Sequence, residues 1–401
     1  MQPVAVTAYS AVTACGAGIA PLRDALLAQR CCLQPARLIR PDFITYTGEI
    51  ETPLPQVSDA LKAYDTRNAR IALAALDCED RRFRNAVAGA VARYGAERVG
   101  VIVGTSTSGI YETELAYRAH ADSGLFPASF DFKHQHAWLA TADFIKQELG
   151  LQGICYAIST ACSTSGKAVA AGQRMIESGI CDAVVVGGVD SICHMTLYGF
   201  RSLELTSERP CTPLDRDRDG ISIGEGAGVL LLEREREMES GGALSLIGYG
   251  ESSDAHHMTA PHPQGEGSAL AMRAALKMAG LSPEAIDYVN LHATGTRLND
   301  ESEMRAMASL FDSDIACSGT KGMTGHTLGA AGGIEAVITL IALDSGFAPG
   351  TCGIRHVDEA FGNRVLCEAE AMPGMRVAMS NNFGFGGNNV SLIFGKGAAD
   401  A

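Results

Sequence analysis

The segment "TLGAAGGIEAVITLIALDSG" (residues 327–346) carries apolar side chains on every face of a helix. A helix with one apolar stripe can lie on a surface, but one apolar all round has to be covered on all sides. This segment is therefore expected to run between two layers of other structure. A chain of 401 residues is long enough to supply them.

The flanking sequence supplies strands to make those layers. "RVGVIVGTS", "GICYAIST", "DAVVVGGVD" and "DYVNLHATGT" read as buried strands, being rich in Val and Ile and ended by Gly or polar residues. "GKAVAAGQRMIESG" reads as a helix stopped by Gly179. Strands alternating with helices predict α/β layers. The stretch "PASFDFKHQHAWLATADFIKQELG" (127–150) reads as a helical excursion between strands. "DGISIGEGAGVLLLE" (219–233) and "MSNNFGFGGNNVSLIFG" (379–395) each pass from a polar lead-in through a glycine-rich turn to an apolar strand. This echo predicts a duplication, with one half over residues 1–235 and the other over 236–401.

The formal charge of −14 argues against nucleic acid or an anionic membrane as the main partner. No uninterrupted apolar run reaches bilayer length, and the N-terminus has no basic residue before Arg23, so a cytoplasmic location is expected. Lys62, Arg67 and Arg70 in "LKAYDTRNARIALAAL" read as an ordinary solvated helix face, with docking of an acidic partner as the alternative. The 12 cysteines include no CxxC pair, and most read as small buried hydrophobes.

Cys162 is the exception. It stands in "STACSTSGKA", among small residues, at the turn between a strand and a helix. That placement projects a nucleophile at a helix N-terminus. The dipole contributes roughly 0.3–1 kcal/mol, which lowers a thiol from about 8.5 by about one unit. Cys162 thus stays mostly protonated at neutral pH and needs help. His292, ending an apparent strand, and His326, at the mouth of the apolar helix, are the candidates, and His326 is expected to be neutral. Lys321 precedes His326 in the same glycine-rich loop. Asp300 and Glu303 fit a helix capping box; Glu303 could instead pair with Lys321, or do both jobs. "NNFGFGGNN" reads either as a tight hairpin turn or as backbone N–H groups open to an oxyanion. "DAHHMTAPHP" lacks a zinc spacing and reads as a loop near a pocket, so no metal is expected.

Together, "STACSTSGKA", "HATGTRLNDESE", "GTKGMTGHTLGAAGG" and "SNNFGFGGNNVSLIFG", in this order, resemble the elongating β-ketoacyl-acyl-carrier-protein synthases. "GGVDSI", "SERPCTPLDRDRDGISIGEGAGVLLLE" and "DAHHMTAPHPQGEG" add to the resemblance. It implies a thiolase fold, two α/β halves in a five-layered αβαβα core. It implies acyl transfer to Cys162, with an oxyanion hole formed by the backbone N–H groups of Cys162 and Phe385. Decarboxylative condensation with a malonyl-carrier follows, with His292 and His326 stabilising the enolate. Lys321, paired with Glu303, is implied to organise the histidines. Phe383 and Phe385 gate the pocket, with Thr294 and Thr296 as further substrate-binding positions. No cofactor is implied beyond the phosphopantetheine arm of acyl carrier protein, which Lys62, Arg67 and Arg70 are candidates to dock. A homodimer, or a heterodimer with a related subunit, is implied as well. "PASFDFKHQHAWLATADF" departs from the usual elongation-enzyme sequence, and "GGVDSICHMTLYGFRSLE" is similar to synthases of aryl polyene pathways. The alternatives are a non-catalytic chain-length factor, which typically lacks the nucleophile, and a thiolase-like coenzyme A enzyme, which uses a second cysteine.

Overall fold

The computed structural model describes residues 3–234 and 243–397. Among them, ten principal strands form one continuous ladder. In chain order they are β1 (Val4–Thr13), β2 (Val99–Gly104), β3 (Cys155–Ile158), β4 (Ala183–Asp190), β5 (Gly226–Arg234), β6 (Leu244–Ser253), β7 (Tyr288–Asn290), β8 (Ala316–Ser318), β9 (Val377–Gly384) and β10 (Asn388–Lys396). The helices used below are α1 (Arg67–Tyr94), α2 (Ile110–Ser123), α3 (Leu139–Glu148), α4 (Thr164–Glu177), α5 (His194–Ser202), α6 (Glu266–Ala279), α7 (Arg297–Ala308) and α8 (Ala331–Ser345).

The spatial order is β8-β7-β9-β10-β6-β1-β5-β4-β2-β3. Reading outward from the middle gives β1-β5-β4-β2-β3 on one side and β6-β10-β9-β7-β8 on the other. Each strand of the second series is the fifth after its counterpart, and the sense of every pairing repeats. β5 is antiparallel to β1 and β4, as β10 is to β6 and β9. β2 is parallel to β4 and β3, as β7 is to β9 and β8. Among the described residues the two strand series join where β1 pairs with β6, at Val4 opposite Leu246 and Ala5 opposite Ser245. The sequence echo is the repeat of β5 in β10. The expected boundary between residues 235 and 236 lies outside the described residues.

Helices cover both faces of the strands, so β2 and β4 are buried at every position. Continuous Val/Ile runs, rather than alternation, are what such two-sided burial requires. α4 and α8 pack on each other and on strands of both halves, and their apolar residues share one core cluster. α1 and α3 close the outer face of the first half, α6 and α7 that of the second. The result is five layers, helix–sheet–helix–sheet–helix. The segment Leu328–Ser345 is apolar and long enough to cross a membrane, yet it lies inside the protein as the central layer.

Glycine permits this central contact. A Cβ on Gly228 of β5 would fall 2.3 Å from the backbone nitrogen of Ile334 in α8, and one on Gly332 would fall 2.6 Å from that of Gly166 in α4.

Two expectations need correction. Residues 127–150 are not one helix: a single π-helical turn at Phe132–His136 precedes α3, which starts only at Leu139. Asp300 and Glu303 do not cap α7 either. That helix begins at Arg297 after Thr296, and both carboxylates lie inside it, turned to other backbone groups.

Gly228→Ala is expected to lower the melting temperature, since overpacking of this kind costs about 1–3 kcal/mol. Gly199→Ala is the control, because its Cβ meets nothing within 4 Å. Thermal scans should separate the two, with Gly199→Ala unchanged or slightly stabilised.

Candidate active site

Cys162 sits in the connection from β3 to α4, and Lys321 and His326 sit in the equivalent connection from β8 to α8. His292 follows β7, and Phe383 and Phe385 lie where β9 turns into β10. The two halves thus contribute opposite walls of one pocket, about 640 Å³ including its mouth. Cys162, His292, Thr294, Thr296, His326, Phe383 and Phe385 all line it.

Local hydroxyls shape the Cys162 turn. The backbone N–H of Thr160 donates to Oγ1 of Thr164 at 2.7 Å, and Oγ of Ser163 donates to the carbonyl of Thr160 at 2.9 Å. Ala161, just before the sulfur, takes φ +53°, a left-handed value that residues with a Cβ seldom adopt. The small residues after Cys162 are themselves buried. Ser165 Oγ accepts the Gly333 N–H at 2.8 Å, and Gly166 lies against Val390. The run of small side chains therefore serves the approach of α4 to α8 as well as the pocket.

Burial dominates the chemistry of this thiol. It pushes Cys162 up to about 11, against the Lys321 charge and the backbone N–H of Phe385, which both favour the thiolate. The effect of desolvation exceeds the helix-dipole gain of about one unit. Gly384 lets its strand approach the Cys162 turn closely, since a Cβ there would lie 3.1 Å from the backbone nitrogens of Cys162 and Ser163.

The two imidazoles are fixed by what their inner nitrogens accept. Nδ1 of His326 accepts the Leu328 N–H at 3.1 Å. Nδ1 of His292 faces the Lys321 ammonium at 3.2 Å, and an ammonium can only donate. Each neutral ring therefore carries its proton on Nε2. Burial first, then Lys321, holds both rings well below the usual histidine range, so they are neutral at physiological pH. The ring centroids are 5.3 Å apart at 87°. The Cys162 sulfur and one nitrogen of each ring lie within 4.8 Å of one another. A small soft cation could bridge such a set, but the buried ammonium of Lys321 opposes a second positive charge there.

Lys321 does not pair with Glu303. Its ammonium bonds to Glu335 of α8, and it also donates to the His292 carbonyl. These two acceptors and His292 Nδ1 account for its three donors. Glu335 also accepts from Nδ2 of Asn382, and burial raises its carboxyl to about 7. Glu303 instead accepts the backbone N–H groups of His292 and Ala293 at 2.8 and 2.7 Å. Burial raises it to about 8. It holds the His292 backbone and has no ion pair with the lysine.

Glu335 is the residue that sequence reasoning missed. Its signal was a lone acid in the middle of the apolar helix. Asp190 was missed too: its buried carboxylate accepts from Ser106, Thr107 and Ala330, tying the loop after β2 to the entry of α8.

The basic trio is not one solvated face. Arg67 is only 19% exposed and forms an ion pair with the fully buried Glu225, while Lys62 and Arg70 both pair with Asp65. The loop "DAHHMTAPHP" does reach the pocket, through Asp254, Thr259, Ala260 and Pro261.

Glu335→Ala is expected to strand the Lys321 ammonium, at a cost of about 3–5 kcal/mol. Calorimetry should record a large fall in melting temperature. The double variant Lys321→Met with Glu335→Leu should regain much of it.

The family description "Beta-ketoacyl synthase, N-terminal domain" matches residues 1–238, and "Beta-ketoacyl synthase, C-terminal domain" matches residues 244–355. The chain is 38% identical over 315 residues to the mitochondrial 3-oxoacyl-[acyl-carrier-protein] synthase of Arabidopsis thaliana, covering 74% of this chain and 68% of that one. It is 37% identical over 314 residues to 3-oxoacyl-[acyl-carrier-protein] synthase 2 of Vibrio cholerae, covering 75% and 76%. Among solved structures, a chain of the complex of the ketosynthase ApeO with its chain length factor ApeC, from Xenorhabdus doucetiae, superposes with a TM-score of 0.91 at 37% identity, covering 98% of each chain. A β-ketoacyl synthase from Burkholderia phymatum superposes with a TM-score of 0.85 at 27% identity, covering 99% and 100%. The chain belongs to the β-ketoacyl synthase family.

Proposed function

We infer that this protein is an elongating condensing enzyme, a 3-oxoacyl-acyl-carrier-protein synthase. The observation that carries this reading is one thiol within 4.8 Å of two imidazoles, each with its proton on the nitrogen away from its buried partner.

In the first half-reaction the Cys162 sulfur attacks the carbonyl of a carrier-bound acyl thioester. The backbone N–H groups of Cys162 and Phe385 are the donors for the resulting oxyanion. The carrier thiolate leaves and takes up the proton that Cys162 gives up. In the second, a malonyl-carrier loses carbon dioxide, and its thioester carbonyl becomes an enolate. The Nε2–H groups of His292 and His326 donate to that oxygen. The carbanion attacks the acyl-Cys162, the β-ketoacyl-carrier forms, and the Cys162 thiolate is reprotonated. No strong base is needed, because loss of carbon dioxide creates the nucleophile.

Retention of Cys162 favours this reading over a chain-length factor. Cys162 is also the only cysteine among the residues lining the pocket, which disfavours a thiolase that needs a second one. Phe383 and Phe385 gate the pocket, and Thr294 and Thr296 contact the substrate arm. Phe200, whose ring centroid is 5.6 Å from that of Phe385, packs against the gate. The partners are acyl carrier protein and a second synthase-type subunit, the same chain or a related one. Leu115, Leu125, Phe126, Phe132, Trp138 and Leu139 form an exposed apolar set that such a subunit would cover. Lys62 and Arg70 remain the candidates for carrier docking. The segment "GGVDSICHMTLYGFRSLE" supports an aryl polyene or related polyketide pathway, and the similarity to a ketosynthase in complex with its chain length factor fits such a use. A cytoplasmic location fits a process run on a carrier protein.

Incubation with acyl-carrier should give an acylated Cys162 by mass spectrometry, and malonyl-carrier should then release a β-ketoacyl product. Cys162→Ala should abolish both; condensation at the normal rate by that variant would refute the assignment. His292→Ala and His326→Ala should still be acylated but lose roughly 10²–10³-fold in condensation.

The pH dependence follows from the depressed imidazoles. They protonate only well below 6.5, so the donors keep their neutral form as pH falls through 6.5. Condensation at saturating substrate should therefore hold its rate there and decline only at lower pH. In Lys321→Met the acid limb should move up.

A further inference from the structure

Five thiols gather around the short helix Lys321–Thr324, the buried Cys211 donating to the Lys321 carbonyl at 3.3 Å. Cys31 is exposed, Cys32 is half-buried, and Cys15 and Cys352 are buried. The Cys31 and Cys352 side chains shift each other's titration in opposite directions, as those of Cys32 and Cys15 do. The surrounding contacts bring both segments to the same place. Cys352 Sγ donates to the carbonyl of Gln29 at 3.1 Å. The Cys32 N–H donates to the carbonyl of Met323 at 3.1 Å. Gly322 has no slack, since a Cβ there would fall 2.6 Å from the Cys352 carbonyl. The helix that carries the buried ammonium thus rests on Cys352 and on the backbone of Cys32, the neighbour of Cys31.

The two kinds of cysteine differ in reactivity. Cys31 is pushed down to about 6 by its bond to Cys352, whereas burial holds Cys162 near 11. The thiolate is the reactive form toward oxidants, so Cys31 is the first sulfur a small oxidant meets in this pair of sites.

We propose that Cys31 and Cys352 form a reversible disulfide, closed by hydrogen peroxide and reopened by thiols, whose closure disturbs the Lys321–Thr324 helix and slows the enzyme. The Cys31 thiolate attacks one peroxide oxygen and becomes a sulfenic acid as hydroxide leaves. The Cys352 sulfur then displaces the sulfenic oxygen as water, and its own proton completes that water. Two thiols and one peroxide give one disulfide and two waters. Reduction by dithiothreitol runs by thiol exchange and returns both thiols. An S–S bond of about 2.05 Å draws residue 31 onto residue 352, and the strain falls on Gly322, wedged against Cys352, and on Met323, bonded to the Cys32 N–H. Small displacements near reacting groups are costly.

The test treats the full-length protein with graded hydrogen peroxide, blocks remaining thiols with iodoacetamide, and digests it without reductant. The expected result is a cross-linked peptide pair containing Cys31 and Cys352, lost on dithiothreitol treatment and absent in Cys31→Ser. Over the same peroxide range, condensation should fall by about tenfold or more, recover with dithiothreitol, and hold steady in Cys31→Ser. Oxidation confined to Cys162, with no cross-link, would overturn the proposal. Equal loss of activity in Cys31→Ser would also overturn it. The cross-link is read without any condensation assay, so its outcome is separate from that of the proposed reaction.

Discussion

A cation enclosed on all sides organises this molecule. Lys321 is 1% exposed, and its ammonium meets a carboxylate, a carbonyl and an imidazole nitrogen. Removing such a charge from water is expensive unless each of its protons finds an acceptor. The acceptors come from two separate parts of the chain, Glu335 of α8 and His292 after β7, so the ammonium ties both to its own short helix. One of the acceptors is the ring that must keep its proton on the opposite side. Structural satisfaction and chemical preparation are thus the same contact.

The repeated strand order explains how such a site can arise from a long chain. Equivalent connections at one end of the two halves face each other across the central helices. One connection became a turn that carries sulfur; its counterpart became a loop that carries Lys321 and His326. Glycines 166, 228 and 332 set the distance between them, because the layers they belong to meet backbone against backbone.

Much of this was legible in the amino-acid order. Buried strands announced themselves as Val/Ile runs, and the apolar helix required two covering layers. Cys162, His292 and His326 stood out because each sits at the end of an element, among residues too small to hide it. What failed had a common cause. Glu303 looked like the partner of Lys321 because it was an acid in a neighbouring motif, whereas Glu335 was averaged into an apolar background. Arg67 looked solvent-facing because its partner Glu225 lies 158 positions away. Pairings between distant acids and bases leave no period or spacing for a reader of sequence to find. The direction of the Cys162 shift was missed for a related reason, since the enclosure that outweighs the helix dipole comes from other segments.

The seam between the halves has a consequence of its own. Among the described residues, direct strand pairing across it amounts to two residue pairs at one end of β1 and β6. Cys162 belongs to one side and both imidazoles to the other. In the proposed reaction, competence is therefore a property of alignment between two bodies. A slip of one against the other would leave each half's secondary structure intact while parting the sulfur from its imidazoles.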